Sequence, residues 1–370
     1  MTASKKLAKA APSESGASPG TYRYKGHLLA ENRRRQAMAD DLAVSPRYVR
    51  ETILPDLAGQ AGQSGPWSLE DRVIKGRNSW IFKAHGPDAP FALALKVYCD
   101  AVKKKEPARQ LKLLKHYHDA MADRPGLSVP APWTALPDHR TLVMEWIEEP
   151  GLDTLLRRAG GRREARVRLL ETADRWLRHF HDQSGLILQP LQSDRLQQRI
   201  DLLLGGENGA GHTVRDRTFR SAYAALLRCA EDFAGAPFPH ATAHGDFMAK
   251  NLLHGRRTIG IDIGGRANFP VTHDMFRFLV QAEVERPLLA AASAGIRGSD
   301  AQAFLASYGA TDQLGDDRLM AFLYLASTLG RWAHRINLLR QRRYRIFRVA
   351  EALRLRQLAR RALMDLEARA

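Results

Sequence analysis

Cysteine is nearly missing from these 370 residues, which hold only Cys99 and Cys229. The two stand far apart in apolar surroundings. Neither a disulfide framework nor a cysteine-rich zinc site can be built from them, and a reducing, cytoplasmic setting is the expectation. No apolar run approaches the roughly 18 to 20 residues that a membrane-spanning helix needs. The first twenty residues carry Lys5, Lys6 and Lys9 with no apolar stretch behind them, so the pattern of a secretory signal is not met. Thirteen histidines occur without a His-Glu-x-x-His or any clustered Cys/His spacing, and a metal centre of that kind has no support.

What is present is enough apolar material, 44% of the chain, to bury one large or two modest cores. The formal net charge is +17. Its distribution decides its meaning. Residues 1–50 hold ten Lys/Arg against four Asp/Glu, and residues 331–370 hold twelve against three, so the ends carry nearly all of the excess. The stretch between them is close to neutral. A chain basic throughout, as expected of a dedicated nucleic-acid binder, is therefore disfavoured.

Residues 1–20 are small and polar, too poor in apolar groups to offset the entropy of ordering, and are read as disordered. Residues 28–57 have a partly helical composition. The breaker-rich stretch 59–66 (Gly-Gln-Ala-Gly-Gln-Ser-Gly-Pro) is read as a linker, with the ordered domain starting just after it. Three short apolar stretches follow, 72–75, 80–84 and 91–98, separated by turn residues, which predicts an antiparallel meander. Leu111, Leu114, Tyr117 and Met121 predict a helix over 106–121. Two further strands are expected at 129–136 and 141–146. After Pro150-Gly151 the pattern turns helical, most clearly over 162–183. Strand character returns around 252–254 and 258–263. These readings place a basic extension at 1–60, a small sheet-containing unit at 61–150 and a helical unit at 151–370.

The chemistry concentrates in His244-Gly245-Asp246-Phe247-Met248-Ala249-Lys250-Asn251, followed by Asp262-Ile263-Gly264. A phosphoryl-transfer site needs a carboxylate at the acceptor hydroxyl and, a short loop away, oxygen ligands for a cation that neutralises nucleotide phosphates. The residues between read as a β-hairpin, which would bring Asn251 and Asp262 to neighbouring strand ends. This pattern resembles the aminoglycoside phosphotransferase and choline kinase superfamily, whose signature is His-Gly-Asp-x₄-Asn with a downstream Ile-Asp-x-Gly. The resemblance spans roughly 70–285. It implies an α+β, two-lobed protein-kinase-like fold, with a small antiparallel N-lobe sheet plus one helix and a larger, mainly helical C-lobe. It also implies ATP and Mg²⁺ as cofactors, Asp246 as the catalytic residue, His244 as a structural member of its loop 242–264, and Asn251 and Asp262 as metal ligands. Asp274 resembles the acidic residue that opens the next helix and braces the loop.

The amino-terminal half points the same way. In Ala94-Leu95-Lys96-Val97-Tyr98 a lysine interrupts an apolar strand, and an ammonium held among buried residues needs an anionic partner. The α- and β-phosphates of ATP would supply it. Glu106 opens the following helix, where it could pair with Lys96 or simply favour the helix terminus. Gly76-Arg77-Asn78-Ser79 stands where a phosphate-covering loop should be, with one glycine where protein kinases have three, so Gly76 and Ser79 are the expected phosphate contacts. By resemblance the main chain at Glu145 and Ile147, in the hinge between lobes, would bind adenine.

The function expected is an ATP- and Mg²⁺-dependent phosphotransferase acting on a small molecule or glycan hydroxyl. A protein Ser/Thr kinase is the near alternative. Met248 stands where its catalytic loop has lysine, and His273 follows nine positions after Gly264, which leaves no room for an activation segment. A non-catalytic ATP-binding protein of the same fold also fits the motif, and a basic nucleic-acid binder is the remote reading that the charged ends permit. Acidic residues at 153, 182, 194 and 201 are mixed with many arginines, so the acceptor is expected to be neutral or anionic rather than polycationic. The arginine-rich run 340–361, with Leu353, Leu355 and Leu358, predicts a closing helix able to make weak contact with an anionic membrane surface.

Overall fold

A computed structural model of the chain describes residues 44–62, 65–76, 78–99, 106–206, 209–286, 295–309, 314–340 and 345–368. The expectations for residues 1–20 and for Arg77 lie outside the described residues.

Ordered structure begins earlier than the glycine-rich stretch suggests. A turn of helix at Pro46–Tyr48, capped by the Ser45 hydroxyl, runs through a π-helical turn Val49–Ile53 into α1 (Leu54–Ala61), which stops at Gly62 with φ +62°. The boundary expected at 61 therefore falls inside the first lobe. The reason is packing: Val49, Ile53 and Leu57 are fully buried against one face of the sheet, among Phe82, Leu93, Leu95, Val97 and Val143.

That sheet is formed by β1 (Ser68–Lys75), β2 (Ser79–His85), β3 (Leu93–Tyr98), β5 (Pro132–Leu136) and β6 (Thr141–Glu145) in the order β1-β2-β3-β6-β5, with every neighbouring pair antiparallel. The central strand β3 is covered on both sides, which explains its nearly continuous apolar sequence. Its odd positions Leu93, Leu95 and Val97 face the N-terminal helices, while Ala94 and Tyr98 join the core cluster shared with the second lobe. By strict alternation Lys96 falls on that second face. The helix α2 (Glu106–Ala120) buries Leu114 and Tyr117 in the same cluster.

Between α2 and β5, a short strand β4 (Leu127–Ser128) pairs parallel with the strand Thr258–Gly260 of the other lobe. The single strand expected at 129–136 is broken because Pro130 and Pro132 lack the amide hydrogens a ladder needs. The helical lobe contains α3 (Leu152–Ala159), α4 (Arg163–Asp182), α5 (Ser193–Leu203), α6 (Arg217–Ala230), α7 (Thr272–Val284), α8 (Ser299–Tyr308), α9 (Asp317–Arg340) and α10 (Arg345–Glu367). Its strands are β7 (Ile187–Pro190), β8 (Pro237–Ala243), the hairpin β9 (Leu252–His254) and β10 (Thr258–Gly260), and β11 (Arg266–Pro270). The sheet β11-β8-β7 departs from the helical expectation for this lobe, since proline interrupts all three short strands and hides their pattern.

The arginine-rich run 340–361 is divided between the end of α9 and the start of α10, so it is not one helix. Leu355, Leu358 and Ala362 of α10 are buried in the core, while Arg356, Arg360 and Arg361 are exposed. Among the described residues no helix is long and apolar enough to cross a membrane.

Candidate active site

The loop between β8 and β9 is held from three sides. Asp274, in the first turn of α7, accepts the main-chain N–H of His244 at 2.6 Å and of Gly245 at 3.0 Å. Burial would raise this carboxyl's pKa. The hydrogen bond from His181 and the surrounding imidazoles of His273, His181 and His244 outweigh burial and hold it well below the usual carboxylate range. Gly245 takes φ +84°, a conformation that L side chains rarely adopt, which is why glycine stands before the aspartate.

Beneath the loop lies Trp176 of α4, fully buried. Its ring stacks on Phe180 and Phe247 and meets His244 edge-on at 5.8 Å, and its Nε1 donates to the Ser128 carbonyl at 2.8 Å. Gly260 makes room for this indole, because a Cβ there would lie 2.1 Å from it. His244 is itself fully buried, and burial lowers its pKa although Asp274, Asp246 and Asp262 pull the other way. The Trp176, Phe180 and Phe247 rings wall this imidazole in.

Asn251, almost fully buried, donates its Nδ2 to the Asp246 carbonyl at 2.8 Å and to Asp246 Oδ2 at 3.1 Å. Its amide nitrogen is thereby committed, and Oδ1 is the atom left to ligate. The Ile261 N–H donates to the Asn251 carbonyl at 2.9 Å, which ties the far end of the hairpin to its start. Asp262 follows at once, with φ +61°. A non-glycine residue in that region costs on the order of 1–3 kcal/mol and persists only where its surroundings enforce it. Here the enforcement is visible on both sides of it, since Gly264 N–H donates to the His244 carbonyl at 2.6 Å. A Cβ at Gly264 would stand 2.8 Å from that same oxygen, so Asp-x-Gly needs its glycine.

Asp262 Oδ1 meets the ammonium of Lys96, which reaches down from β3. Burial would lower the lysine's pKa, but the carboxylate of Asp262 and the Tyr98 side chain beside it hold it above its ordinary value. Reciprocally, Lys96 overrides burial and keeps the Asp262 carboxyl below its ordinary value. Glu106 directs its carboxylate at Arg109 Nη2 (2.6 Å) and Gln110 Nε2 (3.0 Å). Those two side chains donate to the carbonyls of Gly264 and Ile263, so α2 grips the Asp262 loop by its main chain.

Lys96 contacts Asp262, and Asn251, Asp246 and His244 are joined by hydrogen bonds of their own; Ile261, next to Asp262, ties the two groups together through the Asn251 carbonyl. The remaining predicted residues line different parts of the N-lobe. Gly76 N–H donates to the Ser79 carbonyl at 2.9 Å, closing the β1–β2 turn. At the end of β6, Glu145 N–H donates to the Ala131 carbonyl, while its carboxylate takes Ala131 N–H at 3.1 Å and Arg257 Nη2 at 2.5 Å. Ile147 follows, half-buried, in the connection to α3.

Sequence reasoning missed one residue that touches the centre. Arg277, on α7, presses Nη2 onto Asp246 Oδ1. It stands one turn beyond Asp274, but its target lies 31 positions upstream, so no local pattern announces the contact.

Among the described residues there is no group of three or more His, Cys, Asp or Glu that could hold a metal ion. The oxygens at hand are the Asn251 amide and the Asp262 carboxylate. Two hard oxygen donors fit a magnesium ion whose remaining ligands are phosphate oxygens and water, and do not fit a zinc centre.

These features define a two-lobed protein-kinase-like chain. By sequence it matches no family model and no curated protein. By fold it is similar to ethanolamine kinase from Plasmodium vivax, at 11% identity and a TM-score of 0.51 over 90% of this chain and 93% of that one. It is also similar to aminoglycoside phosphotransferase APH(4)-Ia, at 14% identity and a TM-score of 0.50 over 85% of this chain and 98% of that one. Both likenesses lie in the fold, a mixed α+β kinase-like one with an antiparallel sheet and several helices.

Proposed function

We propose that the chain is an ATP-dependent phosphotransferase acting on the hydroxyl group of a small molecule or glycan. The observation that carries this reading is the contact between Lys96 of the N-lobe sheet and Asp262 of the C-lobe hairpin; the residue before Asp262, Ile261, is tied by its N–H to the carbonyl of Asn251, whose side chain in turn holds Asp246. In this reading the Lys96 ammonium would meet nucleotide phosphates and the Asp246 carboxylate an acceptor hydroxyl.

In the proposed reaction the acceptor oxygen forms a bond to the γ-phosphorus as the bond to the β–γ bridging oxygen breaks, releasing ADP. Asp246 orients the hydroxyl and takes its proton. Lys96 holds the α- and β-phosphates. Asn251 and Asp262 would hold magnesium, which supplies neutralisation of phosphate charge when bound. Gly76 and Ser79 would cover the phosphates, and the Glu145 carbonyl and Ile147 amide would meet adenine; the Glu145 amide is already committed to Ala131. Most of the rate would come from positioning and charge neutralisation.

The fold leaves His273 nine positions after Gly264, so the acceptor is proposed to be a small molecule or glycan and not a protein, and neutral or anionic rather than polycationic. A reducing, cytoplasmic setting is part of the proposal, from the scarcity of cysteine in the sequence. The test is phosphate transfer from labelled ATP to a panel of sugars, amino alcohols and sugar acids. Asp246→Ala should abolish magnesium-dependent transfer and keep ATP affinity within about threefold. Equal turnover in the variant overturns the assignment. ATP binding without turnover on any acceptor favours a non-catalytic member of the fold.

A further inference from the structure

Guanidinium groups gather around Asp246 and along the seam between α7 and α9. Arg277 contacts Asp246 directly. One turn along α7, Gln281 accepts from Arg331 of α9 and donates to Glu285 a further turn on. Arg335, one turn beyond Arg331, pairs with Glu351 of α10 at 2.5 Å. On the other flank the Arg266 side chain covers Gly245, and Arg199 Nη1 lies 3.1 Å from His273 Nδ1. The acids beside these arginines are Asp246 itself, Glu285 and Glu351.

Two consequences of this crowding are legible. The buried Nε atoms of Arg277 and Arg331 have no hydrogen-bond partner among the described residues, and a buried donor left unpaired costs about 1–3 kcal/mol. Arg331 is pulled down to about 10 by burial and by its neighbours Arg335 and Arg277. His273 is driven down to about 3 by burial and by Arg199, Arg277 and Arg266, against the neighbouring Asp274 carboxylate, which pulls it up. A fold keeps like charges this close at a cost to stability unless something of opposite charge joins them. Guanidinium forks match the geometry of carboxylate and phosphate oxygens.

We propose that the phosphate acceptor carries an oxyanion of its own, a carboxylate or a phosphate, which binds Arg277 and Arg331 and thereby sets its hydroxyl against Asp246. The proposal rests on the phosphotransferase reading for the hydroxyl and on the arginines alone for the oxyanion. Arg277 pairs with Asp246. An arriving oxyanion takes over that guanidinium and frees the carboxylate for the hydroxyl proton.

Calorimetric titration of inorganic phosphate into the full chain tests the oxyanion site, with and without AMP-PNP and Mg²⁺. Wild type should show one saturable site in both conditions. R331Q should weaken it at least tenfold and R331K, which keeps the charge but not the fork, by less than R331Q does, with unfolding temperatures alike to show that both variants are folded. Competing phosphate with glucose 6-phosphate, glucuronate and glucose then separates the sources: displacement by the sugar phosphate alone marks a phosphorylated acceptor, by the sugar acid alone a carboxylate. Unchanged phosphate affinity in R331Q, or displacement by glucose as effective as by either anion, overturns the proposal. AMP-PNP that fails to bind while phosphate binds at Arg331 would instead sink the phosphotransferase reading and leave the oxyanion site standing.

Discussion

Asp274 and His244, thirty positions apart, are joined by a hydrogen bond of 2.6 Å from the main-chain N–H of His244 to the Asp274 carboxylate, inside a fully buried setting. The same carboxylate holds Gly245 and faces His181, whose other ring nitrogen reaches the Tyr308 hydroxyl at 2.7 Å. One side chain therefore sets where the 244–251 loop leaves β8. Asp274→Ala would strand two buried amide donors and an imidazole. It should lower stability by about 3–5 kcal/mol, read as a shift of the urea unfolding midpoint. A midpoint within error of wild type would show that the loop is held by other means.

Lys96→Met should leave the fold nearly untouched, since the methylenes still pack on β3. Loss of the ammonium removes the cation that Asp262 touches and the proposed phosphate contact. ATP affinity should fall at least tenfold and transfer should become undetectable, with the unfolding temperature moving by only a few degrees. Nucleotide titration and a melting curve on the same sample check both halves.

Gly260→Ala places a methyl group 2.1 Å from Trp176, the indole that floors the catalytic loop. Overpacking of this kind costs about 1–3 kcal/mol. Gly126, with nothing within 4 Å of its would-be Cβ, is the matched control and should be near neutral as alanine. Combining Gly260→Ala with Trp176→Phe should recover part of the loss. Strict additivity in that double-mutant cycle would mean the two residues do not press on each other.

Acid should destabilise the protein well before its carboxylates titrate. Burial lowers the pKa of His240 and His254, and takes His273 down to about 3, against about 6.5 in an unfolded chain. Below pH 6.5 the unfolded state binds protons that the folded state refuses, so the stability these neutral imidazoles contribute is present above 6.5 and drains away as pH falls, for His273 down to about pH 3. Urea midpoints between pH 7.5 and 5 should drop steadily. His273→Asn should flatten that slope by up to about 1.4 kcal/mol per pH unit. A slope unchanged by the substitution would place the effect elsewhere.

Much of the site was legible because its parts are close in sequence. His244, Asp246 and Asn251 share one loop and Asp262 ends the adjoining hairpin, so spacing alone brought them together, and β3 announced Lys96 as one charge in an apolar strand. The N-terminal helix was legible only in part: residues 28–57 read as partly helical, but Gly59 and Gly62 read as a linker, whereas α1 runs through the first and stops at the second. Its place in the fold depends on Val49, Ile53 and Leu57 meeting Phe82 and Leu95, contacts that no periodicity over a short window can show.

By itself, then, the sequence determined the chemistry carried on consecutive residues: the catalytic-loop motif, the lone strand lysine, the near-neutral middle between basic ends. Tertiary structure alone decided which distant groups meet. Arg277 reaches Asp246, Arg331 reaches Gln281, and Glu106 turns Arg109 and Gln110 onto the Asp262 loop, because helices packed side by side bring together residues whose separation along the chain carries no period. Local physics sets the elements and their faces, and only packing in three dimensions chooses which faces meet.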